Sequence, residues 1–264
     1  MKKKNIFNNT IIIIISLYLL IPLFLTFIYS VYTEWTGVLP SGFTFKFYLD
    51  ILSDSHFLMA LFRSLAISIV SVILCTLIII LLLFSITLYF PKLEKIVEIL
   101  CTIPYSIQGI IIAVGVISLY SGVGGIFSNR ILLLIGTYSI IILPYIFRGL
   151  KNSLNAINVH TLIEASEMLG CSKMKAFFLI VLPNMKSGIM SSMMISIAMI
   201  FSDFVIVNTI AGSYYQTASI YLYKAMSKSG QMTSAIIVIL FLTTLVISMV
   251  ATYIEDKTNR EVKN

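Results

Sequence analysis

The chain has 264 residues, of which 59% are hydrophobic and only 11% charged, with a mean hydropathy of +1.02. Soluble domains carry about 25% charged residues, so this composition excludes an ordinary soluble enzyme and indicates a membrane protein. The net charge of +7 does not indicate a nucleic-acid partner, because the basic residues are dispersed at the ends of apolar runs, as loop charges are.

Taken in order, Lys2-Lys3-Lys4 and the apolar run 11–32 resemble the charged start and apolar stretch of a signal peptide. The run is long enough to span a bilayer and no small-x-small cleavage site comes after it, so it is read as a retained first span, bent at Pro22. Five further apolar segments complete the set: 65–90, ended by Pro91; 96–120, carrying Pro104, Gly109 and Gly115; 131–150, carrying Pro144; 187–210; and 234–254. Each is long enough to cross roughly 30 Å of hydrocarbon. The expected fold is an all-α polytopic membrane protein, one transmembrane domain over 1–264 with six transmembrane helices and a cytoplasmic loop over about 151–186.

Orientation is set by the basic residues. With the N-terminus inside, inner segments hold 13 of the 18 lysines and arginines and outer segments hold 5. The positive-inside bias therefore places both termini and the stretch around Glu164 in the cytoplasm. The longest outer segment, 33–62, mixes aromatics with charges over 43–52 and suits the outer membrane–water interface.

Between the fourth and fifth segments lies a polar-to-amphipathic island. Thr161 with Glu164 three residues on reads as a capping box, Thr at N-cap and Glu at N3, and predicts a helix start. Gly170 can take the left-handed conformation that closes such a helix. Ser172 can cap a second helix running through Phe177 to Val181, and Pro183 suits the first turn of the next segment. The whole stretch, Glu164-Ala165-Ser166, three residues, Gly170, nine residues, Ile180, one residue, Leu182-Pro183, resembles the coupling motif of binding-protein-dependent ABC importer permeases. Every spacing is met; the one departure is Ser166, where the family usually has a second Ala. Six fixed matches arise by chance on the order of once in ten million starts. An ordinary capped helix pair explains Thr161, Glu164 and Gly170 singly but not the full spacing. Within that family, Pro40-Ser41-Gly42-Phe43-Thr44, Phe47-Tyr48 and Arg63-Ser64-Leu65 loosely resemble the entry to the second span of spermidine/putrescine-type permeases.

Asp203 is the one acidic residue deep in an apolar segment. Burying a lone carboxylate costs about 2.5 kcal/mol or more, so it should face the bundle interior or a water-filled path. Two readings are open: contact with a cationic solute, or a hydrogen-bonded pivot near the outer gate. Tyr105, Ser106 and Gln108, beside Pro104, are polar groups that hold neighbouring helices or line the pathway. Residues 121–125 are Gly-rich but lack the Gly-Lys-Ser/Thr of a phosphate-binding loop, so they read as a turn. Cys75, Cys101 and Cys171 form no Cys-x-x-Cys and read as small buried hydrophobes. His56 and His160 fall outside the expected spans, and no metal-ligand spacing occurs. No catalytic residue, metal or cofactor is expected.

The resemblance implies a permease subunit that forms the solute pathway of a bacterial plasma-membrane importer and has no nucleotide site of its own. Its implied partners are two copies of a cytoplasmic ATP-binding subunit, a second permease, an extracytoplasmic solute-binding protein and the lipid membrane. Glu164–Gly170 would dock in the ATPase, and the solute would be a polyamine, with aminoalkylphosphonate or metal as other classes. The rival readings are a secondary transporter using Asp203 and a membrane scaffold that binds another protein through the loop.

Overall fold

A computed structural model describes residues 2–35, 40–120, 122–125, 129–212 and 214–263. It is 83% helical, in keeping with the all-α reading, and adds one small hairpin. The chain forms two compact units, Met1–Ala60 with Tyr221–Thr243, and Leu61–Ile220 with Thr244–Asn264.

In the first unit, α1 (Lys2–Ser30) runs unbroken through Pro22 rather than ending or restarting there. The strands β1 (Tyr32–Glu34) and β2 (Ser41–Phe43) pair antiparallel with Tyr32 opposite Phe43. They lead into α2 (Lys46–Ser53), which turns Ile51 inward and leaves Leu49 and Leu52 exposed, as an interfacial helix does. Asp54 then starts α3 (Ser55–Leu88) by accepting the His56 N–H at 2.8 Å. The second apolar helix thus begins ten residues before the run at 65, and His56 lies in its first turn. The other Asp54 carboxylate oxygen accepts the Tyr221 hydroxyl at 2.6 Å, and the Tyr221 ring packs edge-on to Phe57. That hydrogen bond holds the Asp54 carboxyl below its ordinary value, and desolvation, reinforced by Asp54, pushes Tyr221 up to about 12. Ile51, Phe57, Ala225, Ala235 and Ile236 make this unit's core, the last two supplied by α13 (Gly230–Lys263), with α12 (Ala218–Ala225) preceding it.

The second unit is built around α6 (Arg130–Ala156), whose N-terminus is capped by the Asn129 side chain. Leu134, Tyr138, Ile142, Ile146, Leu150 and Leu154 recur every fourth residue and are all buried. Such an i, i+4 ridge is the surface that seats a crossing helix. Helix α10 (Lys186–Phe201) packs closely along α6. A Cβ built on Gly149 would strike Ser192, and one built on Gly188 would strike Ser153, so both glycines are there for close backbone approach. Cys75 on α3 donates to the Ser139 carbonyl at 3.4 Å; it and Cys101 are buried, whereas Cys171 is half-buried.

Two expected spans are not single helices. Residues 96–120 divide into α4 (Glu94–Thr102), a 3₁₀ turn (Ile103–Ser106) and α5 (Gly109–Tyr120), with a bend of 98° between the two halves. Pro104 sits in the 3₁₀ turn, Ile107 leaves the helix for an extended conformation, and the Gln108 carbonyl accepts the Ile111 and Ile112 N–H groups to start α5. The 187–210 segment likewise stops at Phe201 and resumes as α11 (Val205–Ile210), and α10 is itself set off by 66° from the helical run before it. Three helices, Ser55–Leu88, Arg130–Ala156 and the 21 residues from Gly230, are long and apolar enough to cross a membrane. The two bent pairs bring this to five, with Ile14–Ser30 as a shorter apolar helix. Outward-facing Leu77, Ile78 and Leu81 on α3 are each more than half exposed, a surface that water does not favour and lipid or a partner helix does. Of the Gly-rich turn, Ser121 lies outside the described residues.

Candidate functional site

The island between α6 and α10 folds as a helical hairpin. α6 continues to Ala156, so the connection begins at Ile157 rather than at Lys151. Helix α7 (Val159–Met168) then starts three residues earlier than a Thr161 cap would allow: Asn158 is its N-cap and makes no side-chain capping bond. Thr161 and Glu164 are therefore interior helical residues, and no capping box forms. The reason is local, since the Asn158 carbonyl already accepts Leu162 N–H and carries the helix through Thr161.

The far end behaves as the sequence requires. Gly170 has φ +84°. Its N–H bonds the Glu167 carbonyl at 2.9 Å, and Cys171 N–H bonds the Ser166 carbonyl at 2.9 Å, which together make a Schellman closure. Nothing lies within 4 Å of a Cβ placed there, so backbone conformation and not crowding calls for glycine. Ser172 caps α8 (Lys173–Ala176) through Lys175 N–H, and the helix continues as a π-turn over Phe177–Val181 into α9 (Leu182–Asn184). The π-turn has a physical cause. Pro183 has no N–H and its ring clashes with the carbonyl four residues back, and widening the preceding turn, with Leu182 N–H reaching Phe177, relieves this.

This geometry sorts the motif residues. Ser166 is buried, and its hydroxyl returns to the Leu162 carbonyl at 2.6 Å, so the departure from Ala adds a satisfied polar group without widening the site. Glu164, Ala165, Gly170 and Pro183 are exposed, and Ile180 and Leu182 are half-buried. Ala176, Phe177 and Val181 face inward, where Phe177 and Phe178 pack on Phe84 of α3. At the tip, Met168 and Leu169 are each 89% exposed. Two large apolar side chains thus stand exposed on a tightly closed turn, a cost that a free surface does not repay.

Asp203 sits in the break between α10 and α11 and is part-buried. Its Oδ2 accepts the Tyr138 hydroxyl at 2.9 Å, Ile206 N–H at 3.0 Å and Val207 N–H at 3.4 Å. The carboxylate thus caps the short α11 while tying it to α6, and Ser219 bonds the Asp203 carbonyl at 2.8 Å. A Cβ built on Gly109 of α5 would come within 3.0 Å of Ile206 Cδ1, so the start of α5 closes over the same point. Gln108, one residue before, is exposed there. Tyr105 does not join this cluster. Its ring lies 5.8 Å from that of Tyr145, and the Arg148 guanidinium stands 5.5 Å over its centre. Tyr138 and Tyr145 are seven residues apart on α6, about two turns or 10 Å, so one face of α6 carries both groups. Ser106 is exposed beside Tyr105.

Sequence alone does not single out Tyr138, although a lone acid in an apolar segment demands a donor and Tyr138 is a phenol in another such segment. The Lys151–Glu94 ion pair, which ties α6 to α4, has no sequence signal. Among the described residues, no three His, Cys, Asp or Glu side chains lie together as metal ligands.

Comparison with known proteins adds the family. Residues 92–260 match the family described as binding-protein-dependent transport system inner membrane component. A search of curated protein sequences finds no match. Among solved structures, the chain resembles that of a bacterial ABC transporter involved in the import of the acidic polysaccharide alginate, at a TM-score of 0.77 and 17% identity over 97% of this chain and 96% of that one. It resembles the MetNI methionine ABC transporter in inward-facing conformations at 0.63 and 20% identity, over 75% of this chain and 94% of that one. An amino acid ABC transporter with histidines matches at 0.58 and 15% identity, over 80% and 98%. At these identities the likeness is one of fold. With the family match covering well over half of its residues, the chain belongs to the inner membrane components of binding-protein-dependent transport systems.

Proposed function

We propose that this ABC importer permease is coupled to its ATPase through the α7–α8 hairpin, with Glu164, Ala165 and Gly170 on the docking side and Ser166, Ile180, Leu182 and Pro183 setting the hairpin's shape. The observation that carries this is the turn itself: a Schellman closure at Gly170 holds Met168 and Leu169 almost fully exposed at its tip. The permease component is not itself catalytic; the family implies an ATPase partner. In this reading two ATPase copies and a second permease, alike or different, complete the assembly, and an extracytoplasmic binding protein delivers the solute. The apolar helices make six crossings, α4–α5 and α10–α11 as broken spans, with the hairpin and both termini in the cytoplasm. Nucleotide-driven closure of the ATPases would move the hairpin and rock the bundle between outward and inward access.

The proposed solute is a small cation of the polyamine class. Support comes from the loose resemblance at the second span and from Asp203, a part-buried acid in the break between α10 and α11. Solved relatives of the same fold carry alginate, methionine or amino acids in their descriptions, so the fold does not select the solute.

The coupling proposal is tested with two variants. Gly170→Val forces a β-branched residue into a left-handed turn at roughly 1–2 kcal/mol, which the rest of the unit does not share. Glu164→Lys reverses charge at an exposed mid-helix position and leaves the fold intact. Both should reach the membrane at wild-type levels yet lose co-purifying ATPase, or keep it and lose ATP-dependent uptake. Full partner binding and full uptake in both variants would show the hairpin to be an ordinary loop.

A further inference from the structure

Beside the Tyr105 stack, and away from Asp203, lies an open cavity of about 510 Å³. Lys95, Glu98, Ile99 and Thr102 line it from one face of α4, Ile103 and Ser106 from the 3₁₀ turn, and Arg148 from α6. The spacing i, i+3, i+4, i+7 puts the α4 residues on a single stripe. Three features set this cavity apart from a solvated helix surface.

The first is orientation of the arginine. Arg148 lies over Tyr105, and Tyr145 packs against that same ring. The ring thereby holds the guanidinium at the cavity wall, and a guanidinium's N–H fork is the part that matches an oxyanion. The second is charge. The ion pairs among the described residues join Lys151 to Glu94 and Lys173 to Glu167; neither Lys95 nor Arg148 takes part in them. Two cations and one carboxylate leave the cavity net positive. The third is its floor. Ile99 and Ile103 are 58% and 47% exposed within this polar rim, so an apolar surface runs beside the cations.

We propose that this cavity is an oxyanion site that takes a phosphate group, held by the Arg148 fork and the Lys95 ammonium with the apolar remainder of the ligand against Ile99 and Ile103. Arg148 is 18 residues, about 27 Å, along α6 from Arg130, the depth of one hydrocarbon layer. With Arg130 outside, in the orientation proposed above, the cavity opens at the inner-leaflet headgroups, where basic pockets between helices hold anionic lipid. The same chemistry fits a free phosphate-bearing solute entering from the cytoplasmic side. Only the choice between these sources rests on the proposed orientation; the site itself does not.

The test uses the purified permease–ATPase complex, with binding read as protection against thermal unfolding and as retained mass in native mass spectrometry. The probes are dioctanoyl-phosphatidylglycerol, its headless counterpart dioctanoylglycerol, and inorganic phosphate. The phospholipid should bind and the diacylglycerol should not. Arg148→Gln and Lys95→Gln should each weaken phospholipid binding roughly tenfold to hundredfold, the loss of one charge-assisted contact. Arg148→Lys, which keeps the charge but not the fork, should fall between. If Arg148→Gln does not assemble, Lys95→Gln, which stands outside the aromatic stack, carries the comparison. Protection by inorganic phosphate with the same residue dependence identifies a free phosphate as the source; it supports the site while telling against a purely cationic cargo. No binding of either phosphate probe, or wild-type phospholipid affinity in both glutamine variants, overturns the proposal. Failure here leaves the coupling reading intact, because neither Gly170 nor Glu164 touches the cavity.

Discussion

At the scale of single residues, Asp203 is first a structural carboxylate, and its proposed contact with solute has to be separated from that role. Three donors converge on Oδ2, and two of them are backbone groups that α11 would otherwise leave unbonded. Asp203→Asn keeps one acceptor oxygen for these donors and should lose only about 0.5–1.5 kcal/mol of stability. Asp203→Ala strands all three and should lose a cap worth ~1 kcal/mol in addition. The expected outcome is a normally assembled Asn variant with raised half-saturation for polyamine uptake, and an Ala variant with lowered melting temperature and yield. Wild-type uptake by the Asn variant would assign the residue to the bend alone. The acid is legible in the sequence because a lone charge in an apolar run has few explanations. Its partner is not, because Tyr138 is 65 positions away and only the fold brings the two together. Thr161 marks the opposite case: a well-spaced capping pair is only a local preference, and the helix beginning at Val159 overrides it.

At the scale of elements, the long apolar runs announce helices but not where those helices break. Pro22 and Pro144 lie inside continuous helices, whereas Pro104 lies at a 98° bend. Composition does not separate these cases; what differs at Pro104 is that Ile107 and Gln108 give up helical bonds and Gly109 lies close against the Ile206 side chain. The α6–α10 crossing is readable in principle, as Gly149-x-x-x-Ser153 and Gly188-x-x-x-Ser192. Each serine hydroxyl folds back onto the carbonyl of the glycine four residues before it, at 3.0 and 2.8 Å, and so needs no partner across the interface. The backbones can then approach without stranding a polar group. Gly188→Ala should place a methyl against Ser153 and cost roughly 1–3 kcal/mol through overpacking. Adding Ser153→Gly removes the obstacle, so the double variant should recover much of the melting temperature lost by the single one. Equal melting temperatures for Gly188→Ala and wild type would mean that the crossing is looser than this packing requires.

At the scale of the whole molecule, family and orientation draw on different properties of the same chain. The coupling spacing depends on a few residues of one hairpin, whereas the charge bias is spread over every loop, 13 basic residues against 5. That two independent properties agree on a cytoplasmic hairpin makes the orientation worth a direct test. Apolar helices insert in either direction at similar cost, and it is the basic residues flanking them that resist translocation. A reporter active only in the cytoplasm should therefore work when fused after Lys151, near the end of α6, or at Asn264. It should be silent after Gly122, between α5 and α6. A reporter active only outside should give the reverse pattern at the same three positions, which separates wrong orientation from failed expression. Reducing the inner charge with Lys92→Gln, Lys95→Gln and Lys151→Gln together should raise the fraction of misoriented chains without changing any apolar segment. If the Gly122 fusion works in the cytoplasm and the Asn264 fusion does not, the hairpin faces away from any ATPase. The coupling role then falls, even though the chain remains a member of its family.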